Sequence, residues 1–198
     1  MSLRAELAQG RSGALPQARL RGPQEHDQLG HGLTCYEEVS HVPFMIHAPG
    51  VAPGVRDDLV ETLGILPTVA VLLGLPANPA WQGVNVLDAA SCKDRPAFCW
   101  TTGPWESMDI EINSVQMNNW KLVVDQRANL AELFNLKSDP GELQDVAASH
   151  PEQAGLLKKL LAQHKTAAVA ARGNRPGYKV DVDEDTLQQL KSIGYLGS

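Results

Sequence analysis

The stretch SVQMNNWKLVVDQRANLAELFNLKSDPGE, residues 114–142, decides the fold of the second half of the chain. Its β-prone runs lie at 114–117, 120–125 and 130–136. Asn118-Asn119 separates the first two runs, and asparagine tolerates the left-handed backbone of a tight hairpin. The sequence Ser138-Asp139-Pro140-Gly141 closes the third run as a turn. The spacing therefore predicts an antiparallel β-meander.

Two helices are predicted after this meander. Ser149 and Glu152 form a capping box that opens the first helix, whose apolar stripe of leucines continues to about Ala171. The second helix covers about 184–193, with Asp183 as its N-cap. An antiparallel sheet with a helix across it gives an α+β arrangement.

The chain before the meander has a different pattern. Thr34 and Glu37 read as a capping box for a short helix. Residues 42–48 are apolar on both faces, which is typical of an inner strand covered by helices. A helix around Pro67 follows, which we expect to be largely buried, and then a short strand at 97–101. This part of the chain reads as α/β.

The composition limits the classes of function. The chain has 198 residues, 43% hydrophobic and 20% charged, as expected of a globular protein. Its 17 Lys and Arg against 23 Asp and Glu give a net charge of −6, which argues against nucleic acid as a partner. Apolar runs fall short of the roughly 18 residues that span a bilayer, and residues 1–22 lack the apolar region of a secretory signal. We therefore expect no membrane partner and a soluble, cytoplasmic chain without an export signal.

The first 30 residues differ from the rest of the chain in composition and hydrophobic pattern. They are rich in Arg, Gln, Gly, Ala and Pro and sustain no apolar period, which predicts an irregular segment. We therefore divide the chain into an irregular segment at 1–30, an α/β portion at 31–105 and an α+β subdomain at 106–198.

The three cysteines do not form a recognisable framework. Cys35, Cys92 and Cys99 are too few and too irregularly spaced for a disulfide scaffold or a CxxC zinc site. Free thiols are one interpretation, and a single bridge between Cys92 and Cys99 is the other.

Residues 31–46, HGLTCYEEVSHVPFMI, resemble a stretch of the sulfatase family, within the alkaline-phosphatase-like superfamily. There a His-Gly pair is followed by Tyr-Glu-Glu and then by Arg-Val-Pro before an apolar strand. Residues 132–142, ELFNLKSDPGE, are similar to a family signature that runs Glu-Leu-Tyr-Asp-Leu and ends in Asp-Pro-x-Glu. Further segments match in the same order, at 65–68, 82–87 and 187–197. Together they make residues 31–198 resemble the C-terminal portion of a sulfatase.

The resemblance implies an architecture and a chemistry. The architecture is part of an α/β/α sandwich followed by a small four-stranded antiparallel sheet packed by a helix. The chemistry is hydrolysis of sulfuric esters, or of related phosphoric or phosphonic esters, at a divalent cation, Ca²⁺ or Mg²⁺. The family's nucleophile is a formylglycine made in a Cys/Ser-x-Pro-Ser-Arg motif, and no Cys or Ser of this chain lies in such a motif. The resemblance therefore assigns this chain no catalytic and no cofactor-binding residue.

Glu25 and His26 are the nearest match to the Asp-His pair of the family's metal site. The glycine after the family's pair is missing here, as is the apolar strand that presents the pair. A hard cation needs several oxygen ligands, so we expect no tightly bound ion from this pair. One alternative is a wider metal cluster of Glu25, His26, Asp27, His31 and Cys35, and the other is a solvated polar segment.

Three further features each have a structural and a chemical interpretation. His41 and His47 are structural histidines or candidate bases. The sequence from Asp139 to Glu142 is a turn or a calcium loop. Trp100 and Trp105 pack in a core or line a substrate pocket. We favour the structural interpretation of each.

Two classes of function follow from these observations. The first is the C-terminal segment of a sulfatase-like metal-dependent hydrolase, inactive as an isolated chain and completed by the missing N-terminal part as its partner. The second is a non-catalytic folding or assembly module. Such a module self-associates, because a sheet without its first strands leaves an unpaired edge and an uncovered apolar face.

Overall fold

The computed structural model describes residues 2–6, 34–102, 111–173 and 182–192. The elements, in chain order, are β1 (Ser2–Glu6), α1 (Glu37–Ser40), β2 (His41–Met45), β3 (Val60–Glu61), α2 (Ile65–Leu72), α3 (Ala89–Cys92), β4 (Ala97–Thr102), β5 (Glu111–Met117), β6 (Trp120–Asp125), β7 (Leu130–Asn135), α4 (Pro151–Arg172) and α5 (Glu184–Ser192). A single 3-10 turn, Thr62–Gly64, leads into α2.

The first sheet is mixed and has the strand order β2-β1-β3. Strand β1 runs parallel to β2 and antiparallel to β3. It lies within the segment that we expected to be irregular, and the rest of residues 1–30 lies outside the described residues. Pairing with two distant strands stabilises β1, and local periodicity does not encode such pairing. The three domain boundaries stay a prediction.

Within the part of the chain that the structure describes, strand β2 lies at an edge of its sheet, where we expected an inner strand. Its exposure alternates along His41–Met45, so one face is open and the other partly covered. Pro43 lies in the middle of the strand and pairs in register with Arg4. Proline is tolerated at this position because an edge strand needs backbone hydrogen bonds on one side only.

The second sheet is the predicted meander. Its four strands pair antiparallel in the order β4-β5-β6-β7. Met117 pairs with Trp120 across a two-residue turn, in which Asn118 has a φ of 55°. A four-stranded antiparallel sheet packed by a helix is thus confirmed, with β5 beginning three residues before the predicted start.

Helix α4 covers one face of this sheet and creates the main core. Val115, Leu122 and Leu133 point from three neighbouring strands toward Leu157 and Leu161 of the helix, and all five are buried. Fully burying an aliphatic side chain contributes about 1.5–3 kcal/mol, so this layer stabilises the subdomain. The opposite face of the sheet contacts the segment 34–40.

Both predicted capping boxes are wrong. The backbone N–H of Glu37 donates to the carboxylate of Glu142 instead of to Thr34. The Ser149 hydroxyl donates to the Val146 carbonyl, and α4 begins at Pro151, which has no N–H to satisfy. The Glu142 carboxylate thus replaces Thr34 as the acceptor at α1, whereas the Ser149 hydroxyl is engaged as a donor and does not cap α4. By contrast, Asp183 accepts a hydrogen bond from the Thr186 backbone at the start of α5, as predicted.

Helix α2 is more exposed than expected. Pro67, Thr68 and Ala70 face inward, but most of the other apolar side chains of this helix are open to solvent. Within the described residues no element packs against its outer side, which explains the difference from our prediction. Among the helices that the structure describes, none is both long and apolar enough to cross a membrane.

Candidate functional site

Most of the residues that the sequence singled out as metal ligands lie outside the described part of the chain. This holds for Glu25, His26, Asp27 and His31, and also for Trp105. Within the described ranges, no group of three or more His, Cys, Asp or Glu side chains is placed to hold a metal ion. The wider cluster with Cys35 and the Glu25–His26 pair therefore stay predictions.

The most concentrated polar arrangement of the described residues surrounds Lys121, on β6. Its side chain points away from α4 and is only 2% exposed. The Nζ atom lies 3.0 Å from Glu37 Oε1 and 3.0 Å from Glu142 Oε1, and it donates to Ser40 Oγ at 3.3 Å. We call Lys121, Glu37, Glu142 and Ser40 the Lys121 cluster.

Neighbouring groups extend the Lys121 cluster in both directions. His41 Nδ1 lies 3.2 Å from Glu37 Oε2, one helical turn along the chain. The hydroxyl of Tyr36 donates to Glu132 Oε2 at 2.7 Å. Glu142 accepts a hydrogen bond from the Glu37 backbone N–H and also forms an ion pair with Lys121. These contacts bring residues of the stretch 31–46 together with residues of the stretch 132–142.

The two carboxylates of the Lys121 cluster have opposite pKa shifts. Burial alone would raise the pKa of Glu37, but hydrogen bonds from His41 and Lys121 and the charge of Lys121 lower it to about 2. Burial raises the pKa of Glu142, although Lys121 and the Glu37 backbone act against this shift. The charge of Lys121 therefore favours the ionised form of both carboxylates, and burial opposes it at Glu142.

The Lys121 cluster joins parts of the chain instead of presenting a reactive group. Lys121 and Glu142 are almost inaccessible, with 2% and 1% of their side chains exposed. Glu37 is the more exposed of the two carboxylates, at 18%. Charged groups in such a place hold α1 and the turn after β7 against the face of the second sheet opposite α4.

Sequence reasoning missed Lys121, although a signal was available. The residue lies between Trp120 and Leu122 in a strand whose two faces are both covered. A lysine in such a strand needs an acidic partner, because burying an unpaired charge costs a large amount of free energy. Its partners are 84 and 21 positions away, so no local pattern points to them.

His41 and His47 lie at the surface, and the structure does not bring them together with a candidate nucleophile. His41 contacts Glu37, which fits the structural interpretation of this histidine. His47 follows β2 and is exposed. The turn from Asp139 is closed by a hydrogen bond from the Glu142 N–H to the Asp139 carbonyl, as the turn interpretation predicts.

The cysteines are free thiols, and the alternative Cys92–Cys99 bridge is not formed. Cys35 is buried, and its Sγ lies 3.5 Å from the Ile112 carbonyl oxygen. A hydrogen bond with Cys35 lowers the pKa of the Cys99 thiol to about 6 and raises that of Cys35. Cys92 lies elsewhere, 3.8 Å from the Val86 carbonyl oxygen.

The loop 82–87 packs closely on the start of α2. The Thr68 hydroxyl donates to the Gly64 carbonyl at 2.6 Å and accepts the Val86 N–H at 2.9 Å. A Cβ atom at Gly83 would lie 2.0 Å from the Leu63 carbonyl oxygen, so only glycine fits there. The threonine and the glycine therefore fix the loop to the helix.

Comparison with known proteins decides the family. No family model matches the chain. Arylsulfatase K of Bos taurus is 31% identical over 149 residues, which cover 69% of this chain and 27% of that protein. Arylsulfatase K of Homo sapiens is 30% identical over 140 residues, or 65% of this chain and 26% of that protein. The chain belongs to the sulfatase family.

The chain spans only about a quarter of the length of the curated relatives that it matches, and corresponds to a C-terminal portion of them. The crystal structure of Ps i-CgsB shares its fold, with a TM-score of 0.50 and 22% identity over 60% of this chain and 27% of that one. A 2-O GAG sulfatase also matches, with a TM-score of 0.45 and 20% identity, over 62% of this chain and 27% of that one.

In the sulfatase chain, the stretches that carried the resemblance have identifiable structural roles. Residues 31–46 and 132–142 meet at the Lys121 cluster, and residues 65–68 and 82–87 meet at Thr68. Each contact joins segments that are distant in sequence. The described parts of these stretches therefore specify how the elements assemble.

Proposed function

We propose that this chain supplies the C-terminal part of a hydrolase of sulfuric esters, or of related phosphoric or phosphonic esters, and has no turnover by itself. The similarity to arylsulfatase K supports this proposal, since it covers about a quarter of that enzyme's length. The lack of a Cys/Ser-x-Pro-Ser-Arg motif also supports it, because the chain then has no formylglycine nucleophile. The chain's contribution would be to complete the fold of the enzyme.

The observation that carries the proposal is an uncovered apolar surface on the second helix. We call it the α2 face, and it consists of Ile65, Leu66, Val69, Leu72 and Leu73. Leu73 is 68% exposed, and Met45 at the end of β2 adds to the same kind of surface. Contiguous exposed apolar surface of this kind marks an interface. We infer that the preceding part of a sulfatase polypeptide covers it.

The divalent cation that the family implies is not accommodated by the described residues. Ca²⁺ and Mg²⁺ need several converging oxygen atoms, and the described ranges contain no suitable group of acidic side chains. We therefore derive no chemical step through a metal here. Glu25 and His26 stay proposed ligands, and a cytoplasmic location likewise stays a prediction.

A second candidate function rests on the same surface. The α2 face and the open edge of β2 would let two copies of the chain associate, which fits a non-catalytic assembly module. Sedimentation velocity over a range of chain concentrations separates the two candidates. A strict monomer at high concentration would contradict self-association and leave the first candidate standing.

A matched pair of variants tests whether the α2 face is the contact. Leu73→Ser removes an apolar side chain from this face, whereas Leu143→Ser removes one that is 69% exposed elsewhere. Under the assembly candidate, the first variant shifts the equilibrium toward monomer and the second does not.

The direct test of the main proposal is aryl sulfate hydrolysis, for which we expect no turnover by the isolated chain.

A further inference from the structure

A polar side chain interrupts the apolar surface between the second sheet and α4. Trp100, Asn113, Val124 and Ala131 pair in register across the four strands. They form the row next to the core layer of Val115, and residues two apart in a strand face the same side. Asn113 therefore stands where the neighbouring pattern calls for an apolar residue.

Asn113 is buried without hydrogen bonds. It is 1% exposed, and neither its Oδ1 nor its Nδ2 atom has a hydrogen-bond partner among the described residues. A buried amide without partners costs free energy, because both atoms would be hydrated in the unfolded chain. Native proteins rarely keep such a group unless something binds it.

The Asn113 side chain lines a cavity of about 430 Å³ beside the middle of α4. This volume lies within the range of small-molecule sites. Asp125 also lines the cavity, but its Oδ1 accepts the backbone N–H groups of Arg127 and Ala128 and so holds the turn after β6. Among the described residues, the amide of Asn113 is a buried polar group of this lining whose two polar atoms have no hydrogen-bond partner.

Two lysines of α4, Lys158 and Lys165, also line the cavity. Lys165 is already engaged, since its Nζ lies 2.6 Å from Glu111 Oε1 and 5.2 Å from the ring centre of Trp100. Lys158 also lines the cavity and makes no ion pair with any described residue. The acidic group of a singly charged ligand could form an ion pair with Lys158, and the Asn113 amide could then hydrogen-bond another part of the same ligand.

We propose that this cavity binds a small hydroxylated organic anion. The Asn113 amide offers one acceptor and two donors side by side, which matches a hydroxyl group and its neighbouring oxygen. Lys158 supplies the charge for the acidic group, and Trp100 at the rim supplies an apolar surface for the carbon skeleton. This site is separate from the α2 face and does not depend on the proposed hydrolase function.

Side-chain amide NMR of the ¹⁵N-labelled full chain tests the proposal. The Asn113 signals are identified by their loss in Asn113→Leu. The three probes are D-gluconate, its neutral analogue D-glucitol, and hexanoate, which has the charge but no hydroxyl groups. We expect gluconate to move the Asn113 signals saturably, with an apparent affinity at least fivefold higher than either control probe. No saturable shift with gluconate, or equal shifts with all three, would overturn the proposal.

Variants on α4 separate binding from folding. Lys158→Gln should weaken gluconate binding at least fivefold, whereas Lys159→Gln, at an exposed neighbouring lysine outside the cavity lining, should leave it unchanged. Equal effects of the two variants would contradict the site. Asn113→Leu should abolish gluconate binding, followed here through the backbone amide signal of Lys158, and should raise the urea denaturation midpoint. A lowered midpoint would show that the amide serves the fold alone, and would also overturn the proposal.

Discussion

Replacing Lys121 by methionine should destabilise the chain strongly, although the volume of the side chain changes little. The substitution leaves Glu142, 1% exposed, and Glu37, 18% exposed, facing each other without their shared cation. Removing one partner of a buried ion pair costs about 3–5 kcal/mol. His41 still contacts Glu37, and Glu142, whose pKa burial raises, can take up a proton. We therefore expect about 3 kcal/mol at pH 7.

Equilibrium urea unfolding, followed by tryptophan fluorescence, measures this loss as a shift of the midpoint at constant slope. Lys93→Met is the control, since Lys93 is exposed, and its effect should stay within about 0.5 kcal/mol. Adding Glu142→Gln to Lys121→Met should recover at least about 1 kcal/mol, because one buried charge is then removed. A loss below about 1 kcal/mol for Lys121→Met would refute the view that this cluster holds α1 to the sheet.

Three further predictions concern single side chains. Gly83→Ala should destabilise by about 1–3 kcal/mol in urea unfolding, because its Cβ would clash with the Leu63 carbonyl; an unchanged midpoint would contradict this close approach. Gly155→Ala in α4 should stabilise by about 0.5–1 kcal/mol, since a Cβ there meets no atom within 4 Å, and a destabilised variant would argue against an open helical position. The pKa of Glu37 is about 2 against an ordinary 4.5, so its contribution of about 3 kcal/mol is complete above pH 4.5 and lost as the pH falls toward 2. Glu37→Gln should flatten that part of the pH dependence of unfolding, and an unaltered pH profile would count against the pairing.

The second sheet could be predicted because its information is local. Asn118-Asn119 lies between two β-prone runs, and the hairpin forms where the sequence places it. The start of α5 is equally local, since Asp183 and Thr186 are three residues apart. Patterns of this kind depend only on neighbours along the chain, and distant contacts did not override them here.

The elements that departed from prediction depend on partners distant in sequence. The Thr34 capping box fails because the backbone and carboxylate of Glu37 find Glu142 and Lys121 across the fold. Strand β1 forms because β2 and β3 supply hydrogen bonds. The apolar spacing of α2 predicts burial, but within the described residues no element packs against its outer side. The apolar side chains of α2 are consistent with a helix face that a further part of the protein covers.

The candidate site could be predicted only in part. The resemblance identified the sulfatase family, and the comparisons confirm it. The same stretches did not reveal that Lys121 links them, nor that Asn113 lies unpaired beside a cavity. Both features depend on which face of a strand packs against which helix. Sequence periodicity predicts which side chains share a face, but not which element packs on that face.

The most direct test of the central claim is a turnover measurement on the purified 198-residue chain. An aryl sulfate would be supplied with Ca²⁺ or Mg²⁺, and release of the aryl product would be compared with a heat-denatured sample of the same preparation. If the chain is a C-terminal part of a sulfatase without its nucleophile, the two samples give the same rate. Cation-dependent hydrolysis above the denatured control would contradict this account.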